Sequence, residues 1–237
     1  MLNLKPIQPF LSYLSLLYIS QPVKKYTYMP TSFLNIVHTH ITESVVKKLA
    51  VALAETELTI KKAFDASVPL VLIGLSKRTA SSEGANLVIK LAYEQHQFEI
   101  QKNVQEFFGS ESIFWLSRGR GLVRSLFGIK CEQIFETITS YSTISPNNAK
   151  SLLGITSSII MATLGEHAIK NKLNSCDVSA LLVECLVENK IYLPASINSD
   201  AIFSVIENTN NTKILATKKS IISKAWAGLQ SVFSINL

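Results

Sequence analysis

The 237 residues are enough to bury a substantial core, in one large domain or two small ones. Hydrophobic residues make up 47% of the chain and its mean hydropathy is +0.25, yet no run of about 18 apolar residues is uninterrupted, the length a membrane-spanning helix needs. The formal charge of +6 and pI near 9.2 raise nucleic acid as a partner, but the charge is uneven. Residues 1–28 carry Lys5, Lys24 and Lys25, residues 213–237 carry Lys213, Lys218, Lys219 and Lys224, and neither stretch holds an acid. That leaves 16 basic against 17 acidic residues in 29–212. The body is near neutral, so attraction to nucleic acid or anionic lipid is expected through the ends.

In residues 1–28, Lys5 followed by Phe10 to Ile19 has the outline of a short signal core, but no small-x-small cleavage site precedes Gln21-Pro22. The segment reads as a poorly structured extension, or as a mis-called start with the true one at Met29, ahead of export. The expected location is cytoplasmic, with membrane association through the other end of the chain.

From residue 42 the chain repeats itself. Thr56 and Ser145 each stand between a polar-apolar segment and a long apolar-periodic one, and each is a hydroxyl residue suited to cap a helix; Pro146 adds to the second signal. Their separation of 89 residues aligns 42–76 with 131–165 without a gap. Val45, Val46 and Leu49 fall on Ile134, Phe135 and Ile138, and Lys61 falls on Lys150; Leu58 on Asn147 and Val68 on Ser157 are mismatches. Each unit, about 42–95 and 131–188, reads as a helix of about four turns, a tight turn, a long apolar helix and a third helix. The third helices open at Ser81-Ser82-Glu83-Gly84 and Asn174-Ser175-Cys176-Asp177, and aligning Glu83 with Asp177 puts five extra residues in the second loop. The long helices, about 57–77 and 146–170, are apolar around most of their circumference, which marks central helices. Pro69 either kinks the first or splits it at Val68.

Residues 107–128 read as a linker, with Trp115 beside Arg118-Gly119-Arg120-Gly121 and Arg124 following. Glycines there would let backbone amides turn toward an anion, and guanidinium forks suit phosphate or carboxylate; the plain alternative is an exposed, soluble hinge. A stop is expected at Pro194, and a helix capped by Ser199 reaches about Glu207. In 213–237, Ile214, Trp226, Leu229, Phe233 and other apolar residues fall within about 140° of a helical wheel, Lys213 and Lys224 lie opposite, and Lys218 falls inside the apolar sector. Such a helix suits a membrane surface, a partner's groove or the protein's own core. The expected fold is all-α: a multi-helix bundle of two degenerate three-helix repeats over 29–212, plus a C-terminal amphipathic helix.

Val45-Val46-Lys47-Lys48-Leu49 before Thr56, Val68-Pro69-Leu70-Val71-Leu72-Ile73-Gly74-Leu75, Leu126-Phe127-Gly128, Ser151-Leu152-Leu153, Met161-Ala162-Thr163-Leu164-Gly165 and Leu193-Pro194-Ala195 give the chain a pattern over roughly residues 30–198. It resembles the YidB-like bacterial family, the domain of unknown function 937 (DUF937). The resemblance implies a helical fold and a bacterial source, and it supplies no catalytic residues. The chain departs from the family in having Ser158 where a second proline is usual, and arginines in a less glycine-rich linker.

Little else carries chemistry. His38 and His40 form an HxH pair whose rings leave a helix about 200° apart, with no third ligand close in sequence. His96 and His167 read as solvated polar positions. Cys131, Cys176 and Cys185 match no zinc or redox spacing and read as small buried hydrophobes. There is no nucleophile elbow, phosphate loop or dinucleotide fingerprint. The expectation is a non-enzymatic helical binding or scaffold protein without metal or cofactor, meeting an unidentified protein partner or an anionic membrane through Lys213, Lys224, Trp226, Leu229 and Phe233. A nucleic-acid-binding protein using the repeated units as helix-turn-helix elements, with the cluster Arg118, Arg120 and Arg124, is the alternative.

Overall fold

The computed structural model describes residues 32–100 and 112–203, the side chains of 187–191 excepted. The expectations for 1–28, for the start of the linker and for 213–237 lie outside the described residues. Among those described, every regular element is helical.

Helix α1, Phe33–His40, buries Phe33, Leu34 and Val37 on one face. Thr42 then caps α2, Glu43–Leu53, by accepting from the Val45 amide at 3.3 Å. Helix α2 ends where Ala54 turns left-handed, φ 52°, and the Glu55 amide bonds back to the Ala50 carbonyl at 2.9 Å. Thr56 caps α3, Glu57–Arg78, through the Thr59 amide at 3.1 Å. The same steps recur 89 residues on: α6, Cys131–Ser142, ends at left-handed Thr143, φ 62°, and Ser145 caps α7, Pro146–Asn171, through the Asn148 amide at 3.4 Å. The left-handed residues Ala54 and Thr143, like the caps Thr56 and Ser145, lie 89 positions apart. At 11 and 12 residues, α2 and α6 have about three turns rather than the four expected. The two turns also touch: Glu55 Oε1 accepts from the Ser145 amide at 3.1 Å and from Asn148 Nδ2 at 2.8 Å.

Helices α3 and α7 are central. Residues 66–76 of α3 and 151–165 of α7 are buried without a break, so no face of either stretch is left for water. By length and composition α7 is apolar enough to cross a membrane, with a mean hydropathy of 1.4, but 83% of that window is buried inside the protein. Pro69 lies within an unbroken α3, so the two-helix alternative does not hold. Its missing N–H leaves the Asp65 carbonyl without its helical partner.

The third helix of each unit packs on the long helix of the other: α4, Ser82–His96, lies on α7, and α8, Ser175–Tyr192, lies on α3. These helices share one core. Ser81 caps α4 through the Gly84 amide. Asn174 caps α8, its Oδ1 accepting from the Cys176 and Asp177 amides at 2.8 and 3.0 Å while Asp177 Oδ2 accepts from the Asn174 amide. Cap to cap, Ser81 matches Asn174, so the second loop holds four extra residues instead of the five obtained from Glu83 and Asp177. Helix α8 stops at Tyr192, before Pro194 as expected, and α9 is Ser199–Phe203. Its cap is Asn198, which accepts from the Ala201 amide at 3.0 Å, while Ser199 is a buried helical residue.

The linker expectation fails over most of its length. Residues 112–127 form α5, Ser112–Phe127, packed along α7, with a short 3₁₀ turn at Gly128–Lys130 leading into α6. Trp115, Leu122, Val123, Leu126 and Phe127 supply an apolar face at helical spacing, and that burial outweighs the two glycines.

Candidate functional site

The arginines expected at an anion cradle all lie on α5, so the amides of Arg118-Gly119-Arg120-Gly121 belong to a helix and do not turn toward a ligand. Helical geometry also divides them: Arg118 points about 200° away from Arg120, whereas Arg120 and Arg124, four residues apart, share a face. The Arg118 guanidinium lies over the Phe98 ring, 3.8 Å from its centroid. Burial pulls its pKa below the ordinary value, with Glu94 acting the other way. Arg120 Nη2 donates to Ser151 Oγ on α7 at 3.1 Å. Arg124 is exposed.

The glycines between them serve packing. A Cβ on Gly119 would sit 2.9 Å from the carbonyl carbon and oxygen of Gly154, and one on Gly154 would sit 3.1 Å from the Gly119 carbonyl carbon. The pair lets α5 and α7 cross backbone to backbone. Trp115 is buried, edge-on to Phe98 and Phe114 at 5.7 and 5.1 Å. Lys213, Lys224, Trp226, Leu229 and Phe233 lie outside the described residues.

The histidines divide between expectation and surprise. His38 and His40 are both on α1, so their rings diverge as expected. Burial lowers the His38 pKa, with Asp65 countering; burial raises the Asp65 carboxyl, with His38 and Lys61 countering. His167 is not the solvated position expected: its ring lies 5.8 Å from that of Phe33, and burial, then the charge of Lys170, lowers its pKa. Nor is His96, whose Nδ1 is buried and unpartnered. Among the cysteines, Cys131 and Cys185 are buried as expected, but Cys176 is exposed in the first turn of α8, where its neighbours are capping groups.

The sequence did not point to a groove between α6 and the segment 196–202, a cavity of about 460 Å³. Gln133, Glu136, Ser140 and Tyr141 line it from α6, with Ile197 and Ile202 opposite. That volume falls in the range of ligand-binding clefts. Among the described residues the lining contains one acid and no base. On the same helix Glu132 is paired with Lys150 at 3.2 Å, whereas Glu136 has no ion-pair partner among the described residues. Its walls come from segments distant in sequence, and periodicity within either gives no sign of the gap between them.

A family model described as "Bacterial protein of unknown function (DUF937)" matches residues 35–167, more than half of the chain. The chain belongs to this family. The match runs from α1 into α7 and stops short of the roughly 30–198 over which the resemblance is read. No curated protein and no solved structure matches the chain. The family match leaves α8, α9 and one wall of the groove outside DUF937.

Proposed function

We propose that this DUF937 protein is a non-enzymatic helical binding or scaffold protein that attaches to an anionic membrane surface through residues 213–237. The observation that carries this reading is the separation of charge: seven lysines without an acid in 1–28 and 213–237, and a body of net charge −1. Within that body two of the three clustered arginines already contact Phe98 and Ser151, which supports this reading. Lysines near an anionic bilayer contribute about 1 kcal/mol each, and an apolar helical face adds to that.

The test is co-sedimentation with vesicles. The full chain is expected to pellet with phosphatidylglycerol vesicles, to be released by salt, and to remain in solution with phosphatidylcholine alone. A chain ending at residue 212 is expected to remain in solution with both. A full chain that ignores the anionic vesicles removes the proposal.

A nucleic-acid-binding protein is the second reading, favoured by the exposed Arg124 sharing a helical face with Arg120. Against it stands the burial of α3 and α7, the helices that a helix-turn-helix reader would lay in the major groove. Duplex binding that falls steeply with salt and weakens in Arg120→Ala/Arg124→Ala would favour this reading.

A further inference from the structure

The groove between α6 and α9 is open, carries one acid without an ion-pair partner among the described residues, and precedes the lysine-bearing segment 213–237 in the chain. Ala201 and Ile202 form part of its wall, and the described residues end one position later at Phe203. From there to residue 213 is a span of up to roughly 30 Å of extended chain, so 213–237 reaches the groove easily. Tethering holds that segment at an effective concentration in the millimolar range, and modest contacts suffice to keep it bound.

The chemistry of the two surfaces is complementary. On the helical wheel of 213–237, Lys218 sits near the middle of an otherwise apolar sector that includes Trp226. A lysine in that position needs either to snorkel to water or to meet an acid. Among the described residues the groove offers one acid, Glu136, no base, and an apolar lining from Tyr141 and the largely buried Ile197 and Ile202. Lys218 and Trp226 are eight residues apart, so a helix would present them on one side, about 12 Å apart. The volume of about 460 Å³ suits a few anchoring side chains rather than a whole helix, as when an amphipathic helix docks its anchors.

We propose that the groove receives the chain's own segment 213–237, with Trp226 seated against Tyr141, Ile197 and Ile202 and Lys218 paired with Glu136. The inference rests on the amphipathic pattern of that segment and not on its membrane binding, which the vesicle experiment tests separately. In the absence of vesicles the segment covers the groove; a membrane competes for the same apolar sector.

The chain's two tryptophans make this measurable in the full-length protein. In a Cys176→Ser background, Ser140→Cys at the groove rim carries a nitroxide, and ¹⁵N-tryptophan labelling gives one indole signal each for Trp115 and Trp226. The Trp226 signal is expected to be lost with the oxidised label and to return on its reduction. Glu136→Lys alone and Lys218→Glu alone are expected to keep it visible, and the charge-swapped double variant is expected to lose it again. An unshifted Trp115 signal reports an intact fold in each variant. The proposal is overturned if Trp226 keeps its intensity in the parent, if the double variant fails to restore the loss, or if the loss occurs only between labelled and unlabelled copies, which would place one chain's segment on another.

Discussion

Ser67 Oγ and Thr156 Oγ1 lie 3.1 Å apart in the buried crossing of α3 and α7, and the two residues are 89 positions apart. Thr56 and Ser145, the caps of α3 and α7, are separated by the same 89 positions. Thr156 also contacts the Leu152 carbonyl at 2.9 Å, so a donor role toward it survives loss of Ser67. Ser67→Ala is therefore expected to cost about 1 kcal/mol, the value of one hydrogen bond, with no orphaned hydroxyl left behind. Thr156→Val should cost a similar amount, and the double variant less than the sum, because both remove the same bond. Urea unfolding of the four proteins checks this; strict additivity would mean that the pair contributes nothing of its own.

Two glycines in one tetrapeptide should respond oppositely. At Gly119 an added methyl meets the backbone of Gly154 at 2.9 Å, and backbone cannot rotate away as a side chain can. Gly119→Ala is expected to destabilise by about 1–3 kcal/mol, as overpacking does. At Gly121 nothing lies within 4 Å, so Gly121→Ala gains helix propensity and is expected to stabilise by up to about 1 kcal/mol. Thermal unfolding of the pair decides it, and a loss of stability in Gly121→Ala would contradict the packing described here.

What was legible in the sequence divides along the same line. Thr56, Ser145 and the apolar faces that follow them act over three or four residues, and caps and helices appeared where that local chemistry put them. Arg118-Gly119-Arg120-Gly121 looked like a loop because its local propensity is poor; what made it helical was burial of Trp115, Leu122 and Leu126 against α7, a tertiary fact. The use of Arg120 was equally hidden, since Ser151 is 31 residues away. Glu136 gave no signal at all, because a groove exists only once α6 and residues 196–202 are placed side by side.

The cysteines offer a check on burial that needs no mutation. Cys176 is exposed, whereas Cys131 and Cys185 are buried. Burial also raises the Cys131 thiol above its ordinary value, and its Sγ donates to the Val123 carbonyl at 3.5 Å, so its thiolate is scarce. One thiol per chain is expected to react quickly with a maleimide under native conditions, and three after denaturation. Mass spectrometry of the fast adduct should place it on Cys176; a fast adduct on Cys131 would mean that α5 and α6 part readily.

The docking of α1 should depend on pH through His167, whose ring packs on Phe33. Its pKa in the folded protein is below the ordinary 6.5, first by burial and then by Lys170, so the folded state holds that proton less tightly than the unfolded chain does. The sign follows: the contribution of His167 is fully present above about pH 6.5, is lost as pH falls from there through the folded value, and then levels off. His38, lowered by burial on α1 itself, acts in the same direction, while Asp65, raised by burial, acts in the opposite one. Comparing the parent with His167→Leu removes the shared part of these contributions. The urea midpoint of the parent is expected to fall more steeply than that of the variant between about pH 7.5 and pH 5.5. Fast amide exchange confined to α1 in the parent at the acid end would locate the loss in that helix. Parallel slopes in parent and variant would show that the His167 ring is not what the proton acts on.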